Sequence, residues 1–351
     1  MAVDLRDQTS NPIGTEADLD DVLSDPTPGC VETVTRLDGD IMILGAGGKM
    51  GPTLARMARR AVERSGSPKR VIAVSRFSAD GLDDQLRTKG IETIGCDLLD
   101  HGALAELPDV PNIVFMAGRK FGSSRAEWLT WVMNTYLPGL IVERFPRSRI
   151  VAFSTGNVYP LTPVAEGGAT EDSPVAPVGE YAASCLGRER VMEHFSRQHG
   201  TPVTLVRLNY AIDLRYGILL DIASKVRAGQ PIDLTMGNVN VIWQGDAAAF
   251  VLQAFSLCDS PPDILNVSGP ETVSIRWLAN RFAAVFEVPP PEFIGGEAPT
   301  ALLSNASRCH GLFGYPRVSL EQMVQWVANW VTHDGASLNK PTHFEARDGR
   351  Y

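Results

Sequence analysis

Three short stretches of this 351-residue chain carry residue types able to do chemistry. In Asp40-Ile-Met-Ile-Leu-Gly45-Ala-Gly-Gly-Lys-Met-Gly51 a short apolar run ends in glycines and leads at once into an amphipathic pattern. That order predicts a buried strand, a tight turn and a helix N-terminus. The spacing Gly45-x-x-Gly48-x-x-Gly51 lets the backbone approach a pyrophosphate, whose charge the helix N–H groups and dipole would hold. Such turns also occur empty; the strand before and the helix after are what point to a dinucleotide. Phe153-Ser-Thr155-Gly-Asn-Val-Tyr159 falls at the carboxyl end of a predicted central strand, where open α/β sheets bind their ligands. Tyr181-Ala-Ala-Ser-Cys185 opens a predicted long helix, which places residues 181 and 185 one turn apart on one face. A phenol has an ordinary pKa of about 10 and needs help to move a proton near neutral pH.

The elements that must position these residues alternate from Asp40 onward. Strands are expected at Ile41–Leu44, Val71–Ser75, Thr93–Gly95, Ile113–Ala117, Ile150–Ser154 and Val203–Leu208, with helices at Met50–Ser65, Glu127–Phe145 and Glu180–His199. The strands lack period-two alternation, so both faces are buried, and strands separated by helices imply a doubly wound parallel α/β sheet of Rossmann type. After Asn209 a smaller C-terminal substrate domain is expected over 210–334, with 238–257 returning to the sheet. There Leu219–Ala228 reads as a helix and Val239–Trp243 as a strand. Asp246 reads as the N-cap of a helix through Leu257, and Ile264–Val267 as a strand. Ser274 caps a helix to Phe286, Pro289–Glu297 reads as a loop, and Ser319 with Gln322 forms a capping box for the last helix, through Val331. Residues 1–39 read as a surface-packed arm with short helices at Asp18–Ser24 and Gly29–Leu37; 335–351 reads as a loosely packed polar tail.

Composition narrows the class. A net charge of −9 argues against nucleic acid and anionic membrane as partners. No apolar stretch is long enough to span a bilayer, and the polar N-terminus is not a secretory signal. Cys30, Cys96, Cys185, Cys258 and Cys309 are odd in number and scattered, without metal-ligand spacing or a disulfide framework. A cytoplasmic protein without a metal site is expected; His194 and His199 share a helix but have no partner cluster.

The chain resembles the extended short-chain dehydrogenase/reductase superfamily, also called the NAD-dependent epimerase/dehydratase family, over roughly residues 40 to 332. The resemblance rests on the glycine run, Cys96-Asp97-Leu98, Met116-Ala117-Gly118, Phe153-Ser-Thr155…Val158-Tyr159 and Ile264-Leu-Asn-Val-Ser-Gly269. It implies an NAD(P)-dependent oxidoreductase or epimerase acting on a secondary hydroxyl of a sugar or sugar derivative. Tyr181 would be the general acid/base on the substrate oxygen and Thr155 its hydrogen-bonding partner. Gly45, Gly47, Gly48, Lys49, Met50, Gly51, Ala117 and Gly118 would meet the dinucleotide, Asp97 its adenine amino group and Leu98 its ring face. Asn134 would be structural. Asn209, Arg215 and Tyr216 could meet sugar hydroxyls or a phosphate, or serve loop packing. A homodimer is implied through the helices at Glu127–Phe145 and Glu180–His199, with Trp131, Val132, Tyr136, Leu140 and Val142 on the face of the first and Trp128 in the core or on that face.

Two positions depart from the family pattern. The family places a lysine four residues after the tyrosine, where it aids the phenol and holds the nicotinamide ribose. Here that position is Cys185, which reads as a small packing residue against the cofactor. A thiol brings no positive charge. Lys120 in the loop after the fourth strand could replace the cation, with Arg188 as second candidate; alternatively the chemistry is slow or uses another base, or the chain binds dinucleotide without catalysis. Secondly, the second strand ends Val74-Ser75-Arg76 instead of in an acid. Arg76, with Lys49 in the neighbouring loop, suits a 2′-phosphate and favours NADP over NAD; the alternative is an arginine stacked on adenine.

Overall fold

A computed structural model describes residues 13–120, 126–340 and 342–349. The beginning of the arm through Pro12, the loop 121–125 and tail positions 341, 350 and 351 lie outside the described residues. Seven strands form one sheet: β1 Ile41–Leu44, β2 Val71–Ser75, β3 Glu92–Gly95, β4 Asn112–Phe115, β5 Arg149–Thr155, β6 Val203–Leu208 and β7 Asp263–Val267. Their order is β3-β2-β1-β4-β5-β6-β7 and every pairing is parallel. Both faces of β1 are covered: Ile41 and Ile43 belong to one core, Met42 and Leu44 to the other. This is why the run is uniformly apolar. The strand order reverses between β1 and β4, whose register aligns Leu44 with Phe115. A crevice for ligand therefore opens at the carboxyl ends of these two strands.

The C-terminal half builds a second core around Leu219, Ile222, Trp243, Phe282, Met323 and Val327. The strand it sends to the sheet is β7. Segment 238–257 supplies two short strands, Asn238–Val239 and Ile242–Trp243, which pair elsewhere, and a helix, Gln244–Gln253, whose side chains join the core on one face of the sheet. Asp246 does not cap that helix. It lies inside the first turn, where its buried carboxylate accepts from Val318 N–H at 3.0 Å and so ties down the lead-in to the last helix. Ser319 accepts from Gln322 N–H at 3.2 Å at the start of Leu320–Thr332. No helix among the described residues is long and apolar enough to cross a membrane.

Three expectations change. The arm is not a surface extension: its helices Glu16–Leu23 and Pro28–Arg36 bury Leu19 and Leu23 in the C-terminal core and Cys30 and Val34 in the sheet core. The described part of the tail is packed. Phe344 is buried, Thr342 Oγ1 donates to Asp221 at 2.6 Å and Arg347 to the Thr300 carbonyl at 2.7 Å. Helix 127–145 is helical throughout to Arg144 but not uniformly α: Glu127–Trp131 and Leu137–Arg144 are joined by a π-helical turn, Val132–Tyr136.

Candidate active site

The glycine turn leaves β1 directly against the β4 loop. Gly45 has φ +94°, and a Cβ there would lie 2.6 Å from the Ala117 nitrogen, so only glycine lets the two strand ends meet. A Cβ on Gly47 would stand 2.5 Å from Ser75 Oγ and fill the cradle beside the turn. Helix Gly51–Ser65 follows with no side-chain cap on its N-terminus, and its dipole faces the crevice. Gly45, Gly47, Gly48, Arg76, Asp97, Leu98, Ala117 and Gly118 line a cleft of about 220 Å³ there. Asp97 is exposed and accepts from Leu99 N–H at 3.1 Å, Leu98 is buried, and Arg76 is exposed at the rim. Residues of this kind around a glycine cradle fit the adenosine diphosphate half of a dinucleotide.

Met116 and Gly118 are shared with a second cavity of about 260 Å³, which contains Met50, Thr155, Asn157, Tyr181, Asn209 and Tyr216. Thr155 ends β5 and Tyr181 lies in the first turn of helix Gly179–His199; both line this cavity, and the Thr155 hydroxyl favours the ionised phenol. Thr155 Oγ1 also donates to Asn157 Oδ1 at 2.8 Å. Burial pushes the Tyr181 hydroxyl well above the ordinary phenol range; the neighbouring Cys185 thiol pushes it further, and Arg188 opposes both. Cys185 is buried against Tyr181, and its thiol too is pushed up by burial.

Two cations flank this pair. The Lys120 Nζ lies 5.8 Å from the Tyr181 ring centroid; burial pushes its ammonium down to about 8, against the pull of Cys185. Arg188 lies beneath. Its guanidinium donates to the Asn134 carbonyl at 3.2 Å, to Asn134 Oδ1 at 3.1 Å, to the Ala117 carbonyl at 3.4 Å and to the Phe153 carbonyl. All of these acceptors are neutral, so its charge reaches upward unneutralised by a bonded carboxylate. Asn134, in the π-helical turn, clamps the β4 loop by accepting from Arg119 N–H at 2.8 Å and donating to the Arg119 carbonyl at 2.9 Å.

Behind the site, Glu189 and Arg207 form a buried ion pair at 2.6 Å. Arg207 also donates to Tyr159 Oη at 2.8 Å, and Tyr159 donates to Asn266 Oδ1 at 2.8 Å. Ser154 donates to Glu189. This network joins β5, β6, β7 and the Tyr181 helix. The alternation of side chains along each strand hides it in the sequence, because its members are far apart in the chain.

Two predicted ligand residues are placed differently. Arg215 is turned away from the cavity: it pairs with Glu16 at 3.3 Å and Asp20 at 3.0 Å on the arm, and with Asp213 at 3.5 Å. Lys49 does not join Arg76. It lines the Tyr181 cavity, with Nζ held 3.4 Å from the centroid of the Tyr216 ring by a cation–π contact. Asn209 is buried in the cavity wall and donates to Asn240 Oδ1 at 2.8 Å. Tyr216 is buried opposite Lys49, and burial pushes its hydroxyl up to about 12. Residue-level reading missed Asn157, although it lies inside the Ser154–Tyr159 stretch, and Thr342, which nothing in the sequence ties to the site.

A model of the NAD dependent epimerase/dehydratase family matches residues 41–232. The chain belongs to that family. No curated protein matches it. Among solved structures, a dTDP-glucose 4,6-dehydratase from Streptomyces venezuelae with NAD bound superposes with TM-score 0.70 at 18% identity, over 84% of this chain and 97% of the other. A UDP-glucuronic acid 4-epimerase from Bacillus cereus in complex with NAD gives 0.67 at 16%, over 84% and 98%. A UDP-glucose 4-epimerase from Thermotoga maritima gives 0.67 at 14%, over 84% and 99%. These likenesses are of fold.

Proposed function

We propose that this member of the epimerase/dehydratase family catalyses reversible oxidation of a secondary hydroxyl on a sugar or sugar derivative, within an epimerisation or on its own. The observation that carries the reading is that Thr155, at the end of a central strand, and Tyr181 line one cavity, flanked by Lys120 and Arg188. A bound nicotinamide would supply the hydride acceptor and donor. Thr155 would hold the substrate oxygen while Tyr181 takes and returns its proton. Tyr181 lies in an environment that disfavours its phenolate, so the nearby positive charges must lower that cost. Arg188 does so from below, and Lys120 lies over the ring near Cys185. The UDP-glucuronic acid 4-epimerase and dTDP-glucose 4,6-dehydratase that share this fold bind NAD and are named for sugar nucleotides, which supports a sugar-type substrate.

Arg76, with no acid at the end of β2, supports NADP in preference to NAD. The exposed Trp128, Trp131 and Tyr136 beside Leu140, on the helix that packs against the Tyr181 helix, support a two-fold homodimer. Val142 is buried in the core and takes no part in that face. The catalytic reading is tested with Tyr181→Phe, expected to reduce turnover by at least about a hundredfold while dinucleotide affinity is kept. Cys185→Lys in a Lys120→Ala background is expected to restore part of the turnover lost by Lys120→Ala. Wild-type protein that binds dinucleotide and turns over none of a panel of sugar nucleotides would instead support a non-catalytic binding role.

A further inference from the structure

After its last helix, which ends at Thr332, the chain returns to the Tyr181 cavity along a path that proton transfer does not explain. Leu338 N–H donates to the Arg215 carbonyl at 2.9 Å, beside Tyr216. Thr342 is buried and lines the cavity itself. Phe344 enters the C-terminal core, and Arg347 donates to Thr300, to the carbonyl at 2.7 Å and to Oγ1 at 2.6 Å. Gly349, with φ +72°, ends against the residue that precedes the Tyr181 helix: a Cβ there would stand 2.1 Å from the Val178 carbonyl oxygen. The segment is thus fixed on both the Tyr216 side and the Tyr181 side. It lies beyond the residues that the family model matches.

Thr342 is held by one carboxylate oxygen. Its backbone N–H donates to Asp221 Oδ2 at 2.8 Å, and its Oγ1 donates to the same oxygen at 2.6 Å. Asp221 lies in the first turn of helix Ile218–Arg227, whose first residue also lines the cavity. A hydroxyl that spends its proton on a carboxylate keeps only lone pairs for other partners, so Thr342 can accept there and not donate. Side-chain acceptors are scarce in this cavity. Lys49, Arg119, Lys120 and Arg188 on its lining have side chains that only donate, and no Asp or Glu lines it among the described residues. Asn134 Oδ1 already accepts from Arg119 N–H and from Arg188, and Asn157 Oδ1 from Thr155. A ligand hydroxyl buried here carries a proton that needs an acceptor, because leaving it unpaired costs free energy.

We infer that the C-terminal segment is part of the substrate site, with Thr342 a specificity-determining residue whose Oγ1 accepts a hydrogen bond from a substrate hydroxyl other than the reacting one. This rests on the sugar-substrate reading above. Thr342 lines the cavity that holds Thr155 and Tyr181 and not the crevice that holds Gly47, Arg76 and Asp97, which favours the substrate over the adenosine end of the dinucleotide. Asp221 acts through Thr342, as a positioning residue that fixes the direction of its proton.

The test uses the full chain saturated with NADP, and UDP-glucose, UDP-glucuronic acid and dTDP-glucose as substrates. Against whichever of them wild type turns over, Thr342→Val, which is nearly isosteric, should raise KM about three- to tenfold while kcat and NADP affinity are kept. Thr342→Ser, which keeps the hydroxyl, should recover the wild-type KM. Hydrogen exchange of the backbone N–H at position 342 reports whether the segment stays docked. Thr342→Val should keep its protection, since that N–H still donates to Asp221. The inference falls if Thr342→Val leaves KM unchanged, if Thr342→Ser behaves like Thr342→Val, if KM rises only with loss of that protection, or if NADP affinity falls in parallel. Failure of the catalytic reading looks different: a sugar nucleotide would bind without turnover, and the loss in Thr342→Val would appear in its Kd. If the NADP-loaded chain binds none of the three, the inference falls as well.

Discussion

Replacing Lys120 with methionine should stabilise the protein and disable it. A lysine whose folded-state pKa is about 8 against an ordinary 10.5 is disfavoured in its charged form by about 3.4 kcal/mol, at 1.36 kcal/mol per pH unit. Solvent in the cavity screens part of this, so about 1–3 kcal/mol is expected. The sign follows from proton counts. Between pH 8 and 10.5 the unfolded chain keeps a proton on this lysine that the folded chain has lost, so stability rises with pH across that window. Below pH 8 both states are charged and the full penalty is present. Lys120→Met should therefore be about 1–3 kcal/mol more stable than wild type at pH 7, and the difference should vanish towards pH 10.5. Urea unfolding at pH 7 and at pH 10, on both proteins, measures it; comparing the two cancels Tyr181 and the cysteines, which titrate nearby. Turnover measured in parallel should fall at least about tenfold. A stability difference that does not change with pH, or a variant that keeps full turnover, would refute the argument that the fold tolerates a disfavoured charge here because the reaction uses it.

Arg76→Ala should weaken NADP binding by about 1.5–3 kcal/mol and NAD binding little, by titration of both cofactors; a wild-type preference for NAD would remove the basis for that expectation. Sedimentation should give a dimer at micromolar concentration, and Trp128→Glu with Tyr136→Glu should give a folded monomer, because both rings are exposed on the face proposed to pair. Glu189→Gln leaves the Arg207 guanidinium buried without its carboxylate and should cost about 3–5 kcal/mol in chemical unfolding.

What the sequence determined by itself are features written in neighbouring residues. The glycine spacing, the uniformly apolar strands and the helix after Gly51 specify a buried parallel sheet and the crevice at its switch point, because turn geometry and two-sided burial act over a few residues. The Ser154–Tyr159 stretch and the Tyr181–Cys185 turn were legible for the same reason, and so was the missing lysine. Tertiary structure alone decided where long side chains go. Lys49 and Arg215 sit beside expected ligand positions in the chain, yet one crosses the cavity to Tyr216 and the other turns back to the arm, because aromatic and acidic partners distant in sequence compete for their charges. Asp246 resembled an N-cap, but burial beside Val318 gave its carboxylate a different donor. The arm and tail looked peripheral because their apolar residues are few, and only the assembled core shows that Leu19, Leu23, Cys30 and Phe344 fill it. The cation field around Tyr181 is likewise a property of the fold. It is built from loops and a helix more than sixty residues apart, and charge interactions depend on distance in space, which spacing along a chain does not encode.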